Sequence, residues 1–320
     1  MKIPGVLCCG SIVSDMLVRP VDDVEWGTTR FIESIENHVG GNGANTARAL
    51  GILGTPVRLL GALGTDDQAR WILKELARFG VDTSFIVRVD KPSAATIVLV
   101  NERGERMFLH RLGASEEAFR DPVRFTSEIC DGMSHYHFAS FFVLPQLRSN
   151  GPEMLRLARV AGLTTSLDTN WDPKGEWMAA LEPCLEHLDI LFMNEDEALK
   201  LTGFADPAMG AKVVLNKGVA TAVMKLGCRG CAIYTGADEV LCPAFDVVAK
   251  DTTGAGDSFV AGFLAARQRG GSWAQAGTFA NAVAALSVQK LGAAAGVVPL
   301  AATETWMKSA CLRETAGDHV

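Results

Sequence analysis

Residues 251–264 have the sequence DTTGAGDSFVAGFL. Two glycines and several small residues precede an apolar run with helical spacing, so residues 254–257 are predicted to form a loop that opens a helix. Backbone N–H groups converge at a helix N-terminus, and the helix dipole favours negative charge there by about 0.3 to 1 kcal/mol. We therefore expect a phosphoryl group to bind at this loop, which we call the anion loop.

Asp257 lies at the mouth of the anion loop. A carboxylate repels a bound anion, unless its role is to accept the proton of a hydroxyl group that attacks that anion. The alternative interpretation is an ordinary acidic residue in a helix cap, which needs no ligand. The first interpretation predicts phosphoryl transfer with Asp257 as the general base.

Composition and charge narrow the classes of function. The 320 residues are 48% hydrophobic and 21% charged, which is ordinary for one large globular domain or two. A net charge of −7 disfavours nucleic acid or an anionic membrane as the main partner, because both prefer a basic surface. Gln289 and Lys290 interrupt the Ala-rich stretch 279–302, so no membrane span is predicted. The chain has no signal-peptide pattern, and Cys8 and Cys9 lie in an apolar run, so we expect a reducing cytoplasm.

Short apolar runs alternate with helical patterns along most of the chain, which is typical of a parallel α/β sheet. Polar residues that follow some of these runs are candidates for substrate binding, because ligands usually bind where a parallel strand ends; they are Asp15, Asp168 and Asn170. Predicted strands include residues 57–63, 83–89, 164–167, 189–193, 221–225 and 244–248. The last predicted helix covers residues 304–311, and residues 312–320 are predicted to form a frayed tail.

A second glycine-rich loop, GGNGAN at residues 40–45, precedes a helix of small residues. Small residues let a backbone approach a ligand closely. The loop matches neither the GxGxxG dinucleotide fingerprint nor the GxxxxGK[ST] phosphate loop. A different glycine-based ligand site is therefore predicted here.

Two segments, residues 14–37 and 93–113, interrupt the strand and helix alternation with short alternating strands. In the second segment, alternation places Arg106 and His110 on one face of a hairpin. A guanidinium suits a carboxylate or phosphate on a substrate, so both residues are candidates for substrate binding. Arginines also keep a small exposed sheet soluble, and the sequence leaves the charge of the substrate open.

The sequence NEDE at residues 194–197 closes a buried strand and opens a helix. Acidic residues at a helix start stabilise the helix dipole without any ligand. Asn194 and Glu197 are also suited to hold a hydrated Mg²⁺, which keeps its waters and needs few carboxylates. Both interpretations stay open at this point.

Taken together, the two glycine-rich loops in this order and spacing resemble those of the ribokinase-like (PfkB) carbohydrate kinases, over essentially the whole chain. Residues 194–197 and Lys225-Leu226-Gly227 fit two further family elements between them. The resemblance implies an ATP-dependent sugar kinase with a doubly wound, mostly parallel sheet flanked by helices, in a single domain over residues 1–320. It also implies a small β lid from residues 14–37 and 93–113, through which two subunits are expected to pair as a homodimer.

The resemblance also implies roles for individual residues. Asp257 would be the general base, and the N–H groups of Gly254, Ala255 and Gly256 would be the anion hole. The sugar hydroxyls would be held by Asp15, Gly40, Gly41 and Asn45, and the nucleotide pocket would be lined by Thr252, Lys225, Gly227 and Asn281. Asn194 and Glu197 would organise Mg²⁺ through water, and a monovalent cation, K⁺, would lie near Asp251 and Thr253.

Two other classes of protein share parts of this pattern. A nicotinamide-dependent oxidoreductase has a similar sheet, but the missing glycine fingerprint disfavours it. A non-catalytic sugar- or nucleotide-binding protein has little use for a base at Asp257. Within the kinase class, a sugar acid, a sugar phosphate or a nucleoside remains an alternative acceptor to a neutral sugar.

Overall fold

The structure is a computed structural model, and it describes residues 3–313. The strands in this range are β1 Gly5–Cys9, β2 Val13–Arg19, β3 Ser34–Gly40, β4 Val57–Leu60, β5 Ala62–Leu63, β6 Val81–Asp82, β7 Val87–Arg88, β8 Ala94–Val100, β9 Arg106–Arg111, β10 Met133–Phe138, β11 Thr164–Asp168, β12 Ile190–Asn194, β13 Thr221–Lys225, β14 Cys231–Thr235 and β15 Glu239–Cys242. The helices are α1 Asn42–Ile52, α2 Asp67–Arg78, α3 Ser127–Cys130, α4 Pro145–Val160, α5 Met178–Leu185, α6 Glu195–Thr202, α7 Pro207–Asn216, α8 Ala255–Gln268, α9 Trp273–Ser287 and α10 Leu300–Met307. No helix within residues 3–313 combines the length and the apolar composition needed to cross a membrane.

The main sheet has nine strands in the order β15-β14-β13-β12-β11-β10-β1-β4-β6. The strands from β6 to β13 are parallel, and only β14 and β15 pair antiparallel at one edge. From β1 the chain first builds outward through β4 and β6 and later returns to β10 on the other side. This reversal opens a crevice at the carboxyl ends of β1 and β10, where α/β proteins bind ligands. The predicted fold class is confirmed.

Helices cover both faces of the main sheet because its central strands are apolar on both sides. In β1, Val6 and Cys8 belong to a core that includes residues of α1, α8 and α9. The alternate residues Leu7 and Cys9 belong to a second core with residues of α4 and α5. All four side chains are fully buried, which explains these two cysteines as small core residues.

The small sheet, which we define as β3-β2-β8-β9 in that order, stands apart from the main sheet. It draws strands from the two sequence segments that interrupt the α/β alternation. Register pairs Asp15 with Thr96 and Thr96 with His110, so these three residues share one face. The opposite face carries the exposed apolar side chains of Ile97 and Leu109, which are also paired.

Two strand predictions were wrong in extent. The predicted strand 57–63 is divided between β4 in the main sheet and β5, which pairs with β7 in a separate two-stranded sheet. Gly61 separates them, and a Cβ at this position would lie 2.8 Å from the carbonyl oxygen of Gly10. Of the predicted strand 83–89, only the two-residue strand β7 forms, and β6 precedes the predicted range at residues 81–82.

The C-terminal part of the chain also differs from prediction. Residues 244–248 form no strand, and β15 precedes them and ends before Pro243, which lacks a backbone donor. Leu312 forms an isolated bridge with Phe245, and the Arg313 N–H donates to the Ala244 carbonyl at 2.8 Å. The first two residues of the predicted tail are therefore paired, and residues 314–320 lie outside the described range. The last helix covers 300–307 instead of 304–311, because its first turn follows Pro299.

Candidate active site

The anion loop turns sharply into α8 at Gly254. Gly254 has φ 70°, a left-handed conformation that favours glycine, and a Cβ there would lie 2.8 Å from Ala293 Cβ. Within residues 3–313, the N–H groups of Gly254, Gly256 and Asp257 donate to no protein acceptor, whereas that of Ala255 donates to the Thr252 carbonyl at 3.2 Å. The helix start therefore offers donors to an anion, although the N–H of Ala255, one of the three predicted donors, is engaged in the turn.

Asp257 lies in the first turn of α8, and it is only 4% exposed. Its two carboxylate oxygens accept hydrogen bonds from Asn42 Nδ2 at 3.0 Å and Asn45 Nδ2 at 2.9 Å. Burial raises the pKa of Asp257, and the two amide donors oppose that shift. Asn45, which the resemblance assigned to the sugar, thus orients the carboxylate, and Asn42 does the same from the neighbouring turn of α1.

A cavity of about 280 Å³ lies between the small sheet and the carboxyl ends of β1 and β10, and we call it the acceptor cavity. Three predicted substrate residues contribute to its wall, namely Asp15, Gly41 and His110. The rest of the lining is Ser11, Val13, Asn42, Thr96, Val98, Phe108, Leu112, Ser115, Val143 and Leu144. The acceptor cavity therefore has polar groups at one end and apolar side chains along much of its wall, as small-molecule sites commonly do.

The polar end of the acceptor cavity is acidic and poor in positive charge. Burial raises the pKa of Asp15, whereas Thr96 and His110 lower it. Burial also lowers the pKa of His110, whose Nδ1 lies 3.0 Å from Thr96 Oγ1. Gly40 contributes space here, since a side chain at Gly40 would overlap the Asp15 carboxylate.

Lys225, at the end of β13, stands beside the anion loop in a buried charge cluster. Its Nζ lies 2.5 Å from Asp168 Oδ1 and 4.0 Å from Glu197 Oε2, and all three side chains are largely buried. Burial alone would lower the pKa of Lys225, but the Asp168 and Glu197 carboxylates outweigh it and raise that pKa. A Cβ on Gly256 would lie 3.5 Å from Nζ, so the ammonium reaches the start of α8. Asp168, predicted to bind the sugar, instead pairs with this ammonium.

Asn194 and Glu197 cap α6 reciprocally. Asn194 Oδ1 accepts from the Glu197 N–H, and Glu197 Oε2 accepts from the Asn194 N–H, each at 2.8 Å. Thr169 Oγ1 donates to the same Glu197 oxygen at 2.8 Å. These contacts fix the Glu197 side chain next to Lys225 and leave Oε1 outside the hydrogen bonds that the described residues make.

A second cavity, of about 410 Å³, opens on the other side of the anion loop, and we call it the nucleotide cavity. Its lining includes all four residues predicted to bind nucleotide, which are Thr252, Lys225, Gly227 and Asn281. Asn281 Nδ2 donates to the carbonyls of Cys242 and Pro243 at 2.9 and 3.1 Å, which ties α9 to the end of β15. Asn194, Ala255 and Gly256 also line this cavity, so it reaches the anion loop.

Five predicted substrate residues do not line the acceptor cavity, namely Asn170 and Arg106 in addition to Gly40, Asn45 and Asp168. Asn170 has φ 57°, and its Oδ1 is buried without a hydrogen-bond partner among the described residues. Arg106 instead contacts Asp251 and Thr253, which precede the anion loop. Both side chains therefore lie outside the acceptor cavity.

The structure adds contacts to the site that the sequence did not predict. Ser11 follows β1 and Ser140 follows β10, and their hydroxyl oxygens lie 3.0 Å apart at the reversal of strand order. Ser11 Oγ also accepts from the Asn42 N–H at 3.1 Å, which holds the start of α1 at the crevice. The sequence did carry a signal for Asn42, because it lies three residues before Asn45 and residues three apart share one face of a helix. The sequence gave no such signal for the contacts of Ser11 and Ser140, apart from their positions directly after strands.

Comparisons with known proteins agree with this geometry. The profile of the family described as "pfkB family carbohydrate kinase" matches residues 5–300. A fructokinase of Rhizobium leguminosarum bv. trifolii is 31% identical over 81% of this chain and 78% of its own length. An ATP-dependent ribose-1-phosphate kinase of Halopiger xanaduensis is 29% identical over 90% of this chain and 93% of its own. The structure of Arabidopsis thaliana ribokinase complexed with ribose and ATP has a TM-score of 0.82 at 26% identity, and the match covers 95% of this chain and 99% of that one. The chain therefore belongs to the pfkB family of carbohydrate kinases.

Proposed function

We propose that this kinase transfers the γ-phosphoryl group of ATP to a hydroxyl group of a small, uncharged carbohydrate. One observation carries the proposal: Asp257 directly adjoins a residue that lines each of the two cavities. Asn42, in the wall of the acceptor cavity, donates to its carboxylate, and Gly256, next to it in the chain, lines the nucleotide cavity. A carboxylate at this junction is suited to accept the proton of a hydroxyl group as that group attacks the phosphorus atom.

The groups around the anion loop have complementary tasks in this reaction. The N–H groups of Gly254 and Gly256, at the N-terminus of α8, stabilise charge on the phosphoryl oxygens. Lys225 adds a fixed positive charge at the same place, held by Asp168. Asn42 and Asn45 keep the Asp257 carboxylate in one orientation. Phosphoryl transfer needs mainly positioning and charge stabilisation, so no Walker lysine is required.

We propose Mg²⁺ as the metal cofactor. Asp168, Glu197 and Asp257 place three carboxylates around the single ammonium of Lys225, so a triphosphate needs further positive charge to bind there. Asn194 Oδ1 and Glu197 Oε2 already accept hydrogen bonds in the capping box, so this pair suits a magnesium ion held through water. When bound, Mg²⁺ supplies charge neutralisation of the phosphates.

An uncharged acceptor fits the acceptor cavity better than an anionic one. Its lining within residues 3–313 contains no lysine or arginine, and it does contain the Asp15 carboxylate. His110 is a weak source of positive charge because burial lowers its pKa. Asp15 is well suited to accept hydrogen bonds from sugar hydroxyls. The names of relatives suggest fructose, ribose and ribose 1-phosphate as acceptors. Of these, the two neutral sugars, ribose and fructose, are therefore the first candidates.

The acceptor class is tested by an ATP-dependent assay with Mg²⁺, in which ADP release is followed with neutral sugars, nucleosides, sugar acids and sugar phosphates at equal concentration. We expect the highest kcat/KM with a neutral sugar or nucleoside. Preference for a sugar acid or phosphate would overturn the uncharged acceptor and leave the kinase assignment intact. Absence of turnover with all four classes would count against the kinase assignment itself.

We also propose that the small sheet closes over the acceptor cavity as a lid and pairs with the same sheet of a second subunit. Its inner face lines the cavity with Asp15, Thr96 and His110. Its outer face exposes Ile97 and Leu109, and an exposed apolar sheet is commonly covered by a partner.

We propose a reducing cytoplasm as the compartment, and the buried cysteines of the core are compatible with it.

A further inference from the structure

Arg106 joins the small sheet to the residues that precede the anion loop. Its Nη2 lies 2.8 Å from Asp251 Oδ1, and its Nη1 donates to the Thr253 hydroxyl. The Arg106 side chain is 24% exposed and that of Asp251 is 4% exposed, so the pair is largely removed from water. Among residues 3–313, the other ion pairs made by the strands of the small sheet stay within that sheet and its connections. Arg106 is thus an ionic link between this sheet and the catalytic region.

Asp251 is compensated by donors of the chain itself. The Thr253 N–H donates to its Oδ1 and the Gly292 N–H donates to its Oδ2, each at 2.8 Å. Burial alone would raise the pKa of Asp251, but these N–H groups and the Arg106 guanidinium outweigh it and lower that pKa. The carboxylate is therefore held ionised, with a positive charge already beside it.

These contacts show whether the residues here fit the monovalent cation that the family resemblance implies. A bound K⁺ needs oxygen ligands, and the resemblance placed it near Asp251 and Thr253. Here Asp251 Oδ1 and the Thr253 hydroxyl both accept hydrogen bonds from one guanidinium. Two positive charges at the same oxygens repel each other strongly in a poorly hydrated site. The residues present do not fit a bound K⁺.

We propose that Arg106 replaces a monovalent cation at Asp251, so that the position of the small sheet, and not K⁺, completes the charge balance next to the anion loop. The same strand, β9, supplies Phe108 and His110 to the acceptor cavity. The placement of β9 in this structure therefore forms part of the cavity wall and at the same time holds the residues before the anion loop. The inference adds to the proposed kinase function, and its stability test does not depend on that function.

The first test compares activity in chloride salts of tetramethylammonium, Na⁺ and K⁺ at constant ionic strength. The wild-type rate should be the same in all three within about twofold. Arg106→Ala should lose about tenfold to a hundredfold in kcat/KM in tetramethylammonium, because a charged hydrogen-bond donor is gone, and K⁺ should restore much of it. Arg103→Ala is the matched control, since Arg103 is 78% exposed and its one ion pair within residues 3–313 is with Glu105 in the turn of the same hairpin. A wild-type enzyme that requires K⁺ would overturn the proposal.

The second test is the thermal unfolding of the nucleotide-free protein in the same salts. K⁺ should raise the Tm of Arg106→Ala above its value in tetramethylammonium by about 2 °C or more, through binding at the vacated carboxylate. The wild type and Arg103→Ala should show no such difference. Arg106→Lys keeps a positive charge at this position and should stay independent of K⁺ in both tests. The proposal fails if Arg106→Ala shows no K⁺ response in either test, or if Arg106→Lys acquires a K⁺ requirement.

Discussion

Asn45→Ala should move the acid limb of the pH–rate profile to higher pH. The wild-type Asn45 amide donates to Asp257 Oδ2 at 2.9 Å inside a buried site, and a hydrogen bond to a charged group contributes about 1.5 to 3 kcal/mol. One pH unit corresponds to about 1.4 kcal/mol, so the loss of this donor should displace the limb by about 1 to 2 pH units. The sign is upward because the lost bond stabilised the ionised carboxylate, which is the form that accepts a proton. Activity should fall most at the acid end of the pH range and recover as the pH rises.

The assay is kcat/KM for the carbohydrate from pH 5 to 9 at saturating ATP. Asn42→Ala removes the other donor to Asp257 and should displace the limb in the same direction. Asn216→Ala, an exposed residue at the end of α7, is the matched control and should leave the profile unchanged. An unchanged acid limb in folded, active Asn45→Ala protein would refute the reasoning, because Asp257 would not be the group that titrates.

Three further predictions follow from the described contacts. Arg148→Met should destabilise the protein by about 3 to 5 kcal/mol in urea unfolding at pH 7, because it leaves the fully buried Asp172 carboxylate unpaired; a loss below about 1 kcal/mol would contradict this. Burial alone would raise the pKa of Asp172, but the hydrogen bonds from Arg148 and from backbone N–H groups lower it to about 2. The ionised carboxylate therefore stabilises the fold at neutral pH, and the difference in unfolding free energy between the wild type and Arg148→Met should shrink as the pH falls below about 4. Lys225→Met should lower kcat by about 10²-fold or more with little change in KM for the carbohydrate, and a selective rise in that KM would place Lys225 in the acceptor site. Leu109→Lys should convert a dimer to a monomer in sedimentation velocity, and a wild type that is monomeric would exclude pairing through the small sheet.

The parts of the fold that the sequence predicted depend on local signals. The start of α8 was predictable because two glycines directly precede an apolar run with helical spacing, and the glycine at 254 does adopt a left-handed conformation. The parallel strands β12 and β13 were predictable because each is a short, largely apolar run that ends in a polar residue. The edge strand β15 carried no such signal, because its four residues alternate in burial and Pro243 follows directly.

The contacts that define the site were not predictable, because they depend on how distant segments meet. Asn42 and Asn45 reach Asp257 across more than 200 residues, and a glycine-rich loop does not reveal which of its side chains faces the sugar. Arg106 was placed on the correct face of its hairpin by alternation, yet its partner is Asp251, because the long side chain at the first position of β9 extends toward the anion loop. Asp168 was correctly predicted to lie at a strand end, but only the order β13-β12-β11 in the sheet shows that Lys225, two strands away, lies beside it.

The role of Asp257 as general base is tested most directly by Asp257→Asn in a single-turnover assay that follows transfer of the labelled γ-phosphoryl group from ATP to the carbohydrate. Asparagine keeps the size of the side chain and its reach toward Asn42 and Asn45, but it does not accept the hydroxyl proton. The predicted result is a transfer rate lower by about 10² to 10⁴ with nearly unchanged ATP affinity. A variant that retains more than about a tenth of the wild-type transfer rate would contradict the assignment of Asp257 as the base.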